Sequence, residues 1–340
     1  MFVKPDRNAL RLPVMLLSGF LGSGKTTLVN RLLRDPRLAD TAVAVNEFGP
    51  VPLDAHLIDH GADQTIVMAN GCLCCNVAGD FEAAVMRIFS RRQAGVLPSF
   101  KRLIIEPSGL ADPAPIAQAI LRNPVMSRAF RLEGITTAID ALFGLTQIAQ
   151  HAETAKQIAM ADTLVITKPD LVAPADLPRL ERALRRLNPR AAMVRALHGE
   201  VDPARVLPES LLDPAVEVPA RSFMIADTAP VHDPDTTAVL LVAATPLDWR
   251  NFDAWLRKIR ITHAEHLLRV KGILNLAQSE VPVVIQGVHH VLHPPVELAR
   301  WPDADRRSRI VLITRGLPAG VIEAAWKNSL PALYNVPLVA

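Results

Sequence analysis

"GFLGSGKT", residues 19–26, decides the fold. It fits G-x-x-x-x-G-K-[ST] at every required position, and its surroundings fit too: the apolar run "LPVMLLSG" leads into it and "KTTLVNRLLRD" follows with helical spacing. Gly19, Gly22 and Gly24, with Ser23 among them, let the backbone curl so that its N–H groups face phosphate oxygens. Lys25 has the reach for β- and γ-phosphates. Thr26 offers a hydroxyl to Mg²⁺, and Thr27 stands in the first helical turn, whose N-terminus favours anions.

Outward from this loop, short apolar runs alternate with helical segments. "DTAVAVNEFG", "QTIVMANGC", "KRLIIEPSG", "GITTAIDA" and "DTLVITKPD" each end in polar, charged or turn residues. "DFEAAVMRIFSRRQ" has helical spacing, with Asp80 expected as its cap. Val- and Ile-rich runs separated by helices predict an α/β fold with a mostly parallel sheet covered on both faces. Ligands of such sheets sit beyond the carboxyl ends of the strands. Glu106, closing "LIIE", is there expected to hold Mg²⁺ through water. Gly109 is expected to bring a backbone N–H to the γ-phosphate, and Lys25 and Glu106 are the expected catalytic pair. Asp140 lies at the same edge, as either a turn cap or a functional carboxylate.

"TKPD", residues 167–170, selects the base. Asp170 can accept from guanine N1–H and N2–H₂, a donor pair adenine lacks, and the stem of Lys168 can cover the base. Thr167 stands where such loops commonly carry Asn, and a hydroxyl makes one of the two Asn contacts. The expected nucleotide is GTP rather than ATP.

All three cysteines of the chain fall in "GCLCC", as Cys72, Cys74 and Cys75. Adjacent Cα atoms sit about 3.8 Å apart, too close for the usual disulfide between Cys74 and Cys75. Three thiolates on one tight loop are soft ligands for Zn²⁺, Cu(I) or similar ions. Three ligands leave a tetrahedron open, which suits transfer rather than a closed structural site. Glu47 in "NEFG" is either a further ligand or a switch residue.

These segments together resemble the CobW-type metallochaperone GTPases, relatives of UreG and HypB. "SGFLGSGKTTL", "VNEFG", "NGCLCC", "IEPSGLADP" and "QIAMADTLVITKPDL" follow the family's order, and "LLRVKGILNL", "PVVIQGVHHVLHPP" and "DRRSRIVLI" resemble its C-terminal domain. The resemblance implies slow GTP hydrolysis coupled to delivery of zinc or cobalt to a client metalloprotein; a homodimer is a further expected partner. It also implies that Asn46 and Glu47 lie in a nucleotide-responsive switch and that the three cysteines bind the metal. The family commonly has "NEFGE"; here Pro50 follows Gly49, so a metal contact from a Glu at that position is absent.

The expected organisation is a P-loop domain over 1–200, a Pro- and Asp-rich boundary over 201–220, and a smaller α+β domain over 221–340. In that last part "RSFMIA", "TAVLLVAAT", "HLLRVKGILNL", "PVVIQGVHHVLH" and "RSRIVLIT" predict strands, and "DWRNFDAWLRKI" and "PAGVIEAAWKNSL" predict helices. His289, His290 and His293 are either a second metal site or, the preferred reading, structural or client-facing; strand alternation would place His289 and His293 on one face and His290 on the other.

The totals narrow the function. Of 340 residues, 50% are hydrophobic, enough for two cores, and the formal charge of +3 with no dense basic block gives no support for nucleic-acid binding. No run reaches the roughly 18 apolar residues of a membrane helix, and the N-terminus has no signal-peptide run. The expected location is the cytoplasm. Two other readings use the same motifs: a nucleotide-binding metal or redox sensor acting by partner docking, and an ATP-dependent P-loop enzyme.

Overall fold

A computed structural model describes residues 11–45, 65–67, 78–208, 236–292, 294–298 and 300–333. Its first strand, β1 (Leu12–Gly19), is buried along all eight residues. A strand apolar on both faces needs helices on both sides, so it belongs in the middle of a parallel sheet. That is where it lies. The sheet also holds β2 (Thr41–Val45), β3 (Thr65–Val67), β4 (Arg102–Glu106), β5 (Phe130–Asp140), β6 (Thr163–Thr167) and β7 (Ala192–Ala196). The order is β3-β2-β4-β1-β5-β6-β7, and every pairing is parallel.

The connections carry α1 (Lys25–Leu32), α2 (Ala78–Gln93), α3 (Pro113–Arg122), α4 (Met126–Ala129), α5 (Gly144–Gln150), α6 (Ala152–Met160), α7 (Leu177–Leu187) and α8 (Pro203–Val206). α1 shows why this packing works. Leu28, Val29 and Leu32 recur at helical spacing and are buried against Met15, Leu17, Val43 and Ile104 of the sheet. Truncating Leu28 to Ala there would cost about 2–5 kcal/mol. α2 starts at Ala78, so Asp80 lies within its first turn and is not the expected cap. α3 opens with Pro113 behind Asp112, whose carboxylate accepts from Ala114 N at 2.9 Å.

Register gathers the strand ends. Val45 pairs with Glu106, Gly19 with Ala138, Asp140 with Thr167, and Thr167 with Ala196. The residues ending these strands therefore share one carboxyl edge, the edge at which α/β sheets bind ligands.

The second compact unit is built on an antiparallel sheet. It contains β8 (Thr236–Ala243), β9 (Leu267–Leu274), β10 (Val283–Val288), β11 (Val291–Leu292), β12 (Val296–Glu297) and β13 (Ser308–Arg315), in the order β11-β10-β9-β13-β8 with β12 on β10. Two helices, α9 (Trp249–Thr262) and α10 (Ala319–Leu333), cover one face. Phe252, Trp255, Leu256 and Ile259 of α9 meet Ile322 and Trp326 of α10 over Leu241, Val270, Ile285 and Leu312. The Trp255 and Trp326 rings meet edge to face with centroids 5.0 Å apart, a contact worth about 0.5–1.5 kcal/mol beyond area burial. Asp248 caps α9 by accepting from Asn251 N at 3.0 Å.

One expectation fails in this unit. "PVVIQGVHHVLH" is not one strand. β10 and β11 pair Val288 with Val291, so His289 and His290 form a two-residue hairpin loop. His289 has φ 51, a left-handed conformation that breaks the side-chain alternation. The expected two-face arrangement is therefore lost, and His293 lies outside the described residues. So do the strand expected at 221–226 and the segments holding Asn46, Glu47, Pro50, Cys72, Cys74 and Cys75. Among the described residues no helix is long and apolar enough to cross a membrane.

Candidate nucleotide-binding site

The loop between β1 and α1 is shaped by glycine. Gly24, the residue before α1, has φ 86 and ψ 20, a conformation that costs an L-residue roughly 1–2 kcal/mol and glycine nothing. It turns the chain so that α1 presents its free N–H groups to the loop, the arrangement that binds anions. Lys25 is nearly buried. Its ammonium arches over the loop and donates to Gly19 O at 2.9 Å and Phe20 O at 3.2 Å.

Thr26 is next. Its hydroxyl donates to Glu106 Oε1 at 3.0 Å, across 80 positions of sequence. Glu106 ends β4 and is 3% exposed. A hydroxyl and a carboxylate converging at the mouth of the loop are hard oxygen donors, the set that suits Mg²⁺. Three residues further on, Gly109 lies against the loop itself. A Cβ there would stand 2.5 Å from Leu21 N and 2.8 Å from Leu21 Cα. Only glycine fits between these two backbones.

The β6 end closes the other side. Thr167 is buried, and its hydroxyl donates to Ser23 O at 2.7 Å, with Ile139 O a second acceptor in range at 3.1 Å. It therefore ties the strand to the phosphate loop. Lys168 has φ 53, and its ammonium donates to Gly22 O at 2.7 Å and to Asp140 Oδ2 at 2.6 Å. Asp140, 2% exposed, takes the turn-capping role and also pairs with Lys168. Its Oδ1 accepts from Leu142 N at 2.8 Å and Phe143 N at 3.2 Å, capping the turn, while Oδ2 holds Lys168. Asp170 lies exposed in the 3-10 turn Pro169–Leu171. Thr27 is exposed on α1 beside the turn after β7: a Cβ on Gly199 would stand 3.0 Å from Thr27 O.

The structure adds residues that the sequence did not single out. His151, just before α6, stacks on Phe20 of the loop with ring centroids 4.5 Å apart. Gln157 of α6 donates through Nε2 to Gly109 O at 3.2 Å and Ala111 O at 3.0 Å. Arg31 Nε donates to His198 O at 3.2 Å, holding the turn after β7 to α1. Gln157 carried no signal, since one glutamine in an amphipathic helix resembles its solvent face. The 198–199 turn could have been found from Gly199 following a short apolar run. Among the described residues no group of three or more His, Cys, Asp or Glu could hold a metal ion.

A glycine-rich loop joining a central parallel strand to a helix, with Thr26 held on a carboxylate from the neighbouring strand, defines a P-loop nucleotide-binding domain. Residues 13–195 match the family model described as CobW/HypB/UreG, nucleotide-binding domain, and residues 236–330 match the cobalamin synthesis protein CobW C-terminal domain. The chain belongs to the CobW/HypB/UreG family. It is 31% identical over 316 residues to the zinc chaperone YjiA of Escherichia coli (strain K12), covering 92% of this chain and 97% of that protein. To the zinc chaperone CobW of Pseudomonas aeruginosa it is 25% identical over 365 residues, covering 96% and 93%. Among solved structures, the Zn(II)-bound YjiA GTPase from E. coli is similar with a TM-score of 0.71 and 25% identity, over 94% of this chain and 98% of that one.

Proposed function

We propose that this chain binds GTP with Mg²⁺, hydrolyses it slowly, and carries a transition metal on Cys72, Cys74 and Cys75 to a client metalloprotein. Zinc is the first candidate and cobalt the second. The observation that carries the nucleotide part is the Thr26–Glu106 contact of 3.0 Å at the mouth of the Lys25 loop. Mg²⁺ there would offset phosphate charge, with Thr26 and Glu106 as its protein-side oxygens. Lys25 would exchange its loop carbonyls for phosphate oxygens, and Asp170 would accept from guanine. Asn46 and Glu47 would respond to the γ-phosphate, with Glu47 also the first candidate for a further metal ligand.

The metal part has different support. The relatives named above are zinc chaperones, and one was crystallised with Zn(II). β3 ends at Val67, paired with Val45, whose other neighbour is Glu106. Cys72 follows Val67 by five residues, a tether of at most about 18 Å. On this reading Cys72, and Cys74 and Cys75 two and three residues beyond it, would be carried toward the edge where Glu106 meets Thr26. Nucleotide state and metal affinity would be coupled through that edge.

The test is zinc affinity with Mg²⁺–GDP and with a non-hydrolysable GTP analogue, before and after Cys72→Ala/Cys74→Ala/Cys75→Ala. The affinity is expected to differ between nucleotide states. The triple variant should lose more than the roughly 10–100-fold that removal of an outer-shell partner costs. Equal affinity in all of these conditions would sink the coupling.

A further inference from the structure

Helix α6 holds the 109–112 segment at two adjacent positions. Lys156 pairs with Asp112 at 3.2 Å, and Gln157 donates through one nitrogen to the carbonyls of Gly109 and Ala111. The helix is itself anchored, because Thr137 of β5 donates its hydroxyl to Gln157 O at 3.0 Å. At its start, His151 stacks on Phe20 of the phosphate loop. One helix therefore joins the loop around the phosphates to the segment that follows Glu106.

Packing does not account for Gln157. Its side chain is 1% exposed, and its Oε1 is buried without a hydrogen-bond partner among the described residues. A Met of similar length would fill that space without burying an unpaired oxygen, so the amide's value here lies in its NH₂ group. That group fixes the carbonyl of Gly109, the residue pressed against Leu21 with no room for a Cβ. The Gly109 N–H donates no hydrogen bond within the described residues. Among those residues nothing competes with a ligand for it.

We propose that Gln157 is a positioning residue that distinguishes nucleoside triphosphate from diphosphate: by clasping the Gly109 and Ala111 carbonyls it sets the Gly109 N–H for the terminal phosphate. The proposal rests on the nucleotide reading above and extends it to a residue remote from the loop. Gln157 touches no phosphate. Its effect passes through one backbone segment, so it separates ligands that differ only in the γ-phosphate.

The test is Gln157→Met in the full chain, with Mg²⁺ present. Affinities for GDP and for a non-hydrolysable GTP analogue are measured beside kcat and KM for GTP, and a melting curve confirms folding. The diphosphate affinity is expected to stay within about twofold, while the analogue affinity and kcat each fall about tenfold, the scale of one or two lost hydrogen bonds. If both affinities fall together, or neither falls, the residue only supports the loop and the proposal is overturned. Repeating the pair with ADP and an ATP analogue separates the two claims. A chain that prefers adenine refutes the GTP reading, yet the triphosphate-to-diphosphate ratio still decides the role of Gln157. Should the variant fail to fold, hydrogen exchange over 107–112 in the unmodified protein decides it. Greater protection with the triphosphate analogue than with the diphosphate is required, and equal protection overturns the idea.

Discussion

Gly109 and Leu21 meet backbone to backbone, and neither can retreat along a rotamer. Gly109→Ala would force one of the two segments to move, an overpacking cost of about 1–3 kcal/mol. The expected outcome is a lower denaturation midpoint together with weakened nucleotide binding, read by urea titration and equilibrium binding. Asp170 is a different kind of residue: exposed, in a tight turn, and placed by the register of β6. Asp170→Ala should leave folding unchanged and lower the GTP-over-ATP preference by about 10–100-fold, the scale of hydrogen bonds to a charged group. Competition binding with both nucleotides checks it. At this scale the sequence is explicit where a motif confines chemistry to one residue type. Lys25, Thr26 and Glu106 are of that kind. Thr167 was legible as a departure from Asn, but its use, tying β6 to Ser23 O, depends on a neighbour 144 positions away. Gln157 was illegible for the same reason: its partners come from another connection of the sheet.

Elements were legible in proportion to their apolar continuity. β1, β4, β5 and β6 are runs largely buried on both faces, and their carboxyl ends fall where the sequence put them, although β5 starts at Phe130, four residues before the expected run. β7, "AMVRA", lies at the sheet edge with only Val194 and Ala196 buried, so its pattern is too weak to register as a strand. The His289–His290 loop was hidden because a hairpin normally signals itself with Gly or Asn, and here a histidine takes the positive φ. Small elements also carry their own electrostatics. Asp35 caps the 3-10 turn Pro36–Leu38 and accepts from Arg37 N, Nε and Nη2. The Arg37 guanidinium is the main reason its carboxyl is lowered to about 2. A carboxyl depressed in the folded state stabilises above its unfolded pKa, near 4, and loses that contribution as pH falls through the folded value. The stability difference between the unmodified protein and Asp35→Ala is therefore expected to be constant above about pH 4 and to shrink toward pH 2. Asp35 is half-buried and its partner Arg37 exposed, so solvent screening keeps the difference small, and chemical denaturation across that range measures it.

At the scale of the whole molecule, each unit has a core of its own. One is made of Leu, Val, Ile and Met around β1, and the other is built on Phe252, Trp255 and Trp326. Ligand linkage should act through the first. At a hundredfold excess over its dissociation constant, a nucleotide adds about 2.7 kcal/mol to the stability of the unit that binds it. Circular dichroism should show that transition moving with Mg²⁺–GTP.

The aromatic contact between Trp255 and Trp326 has a practical corollary. The chain has four tryptophans, Trp249, Trp255, Trp301 and Trp326, and the nucleotide unit has none. Intrinsic emission is thus a natural label on the antiparallel unit alone. The P-loop unit is optically dark at those wavelengths. Any change in that glow on adding nucleotide would be a signal read out in the other unit, and a tryptophan newly placed in the dark half would report on the site itself.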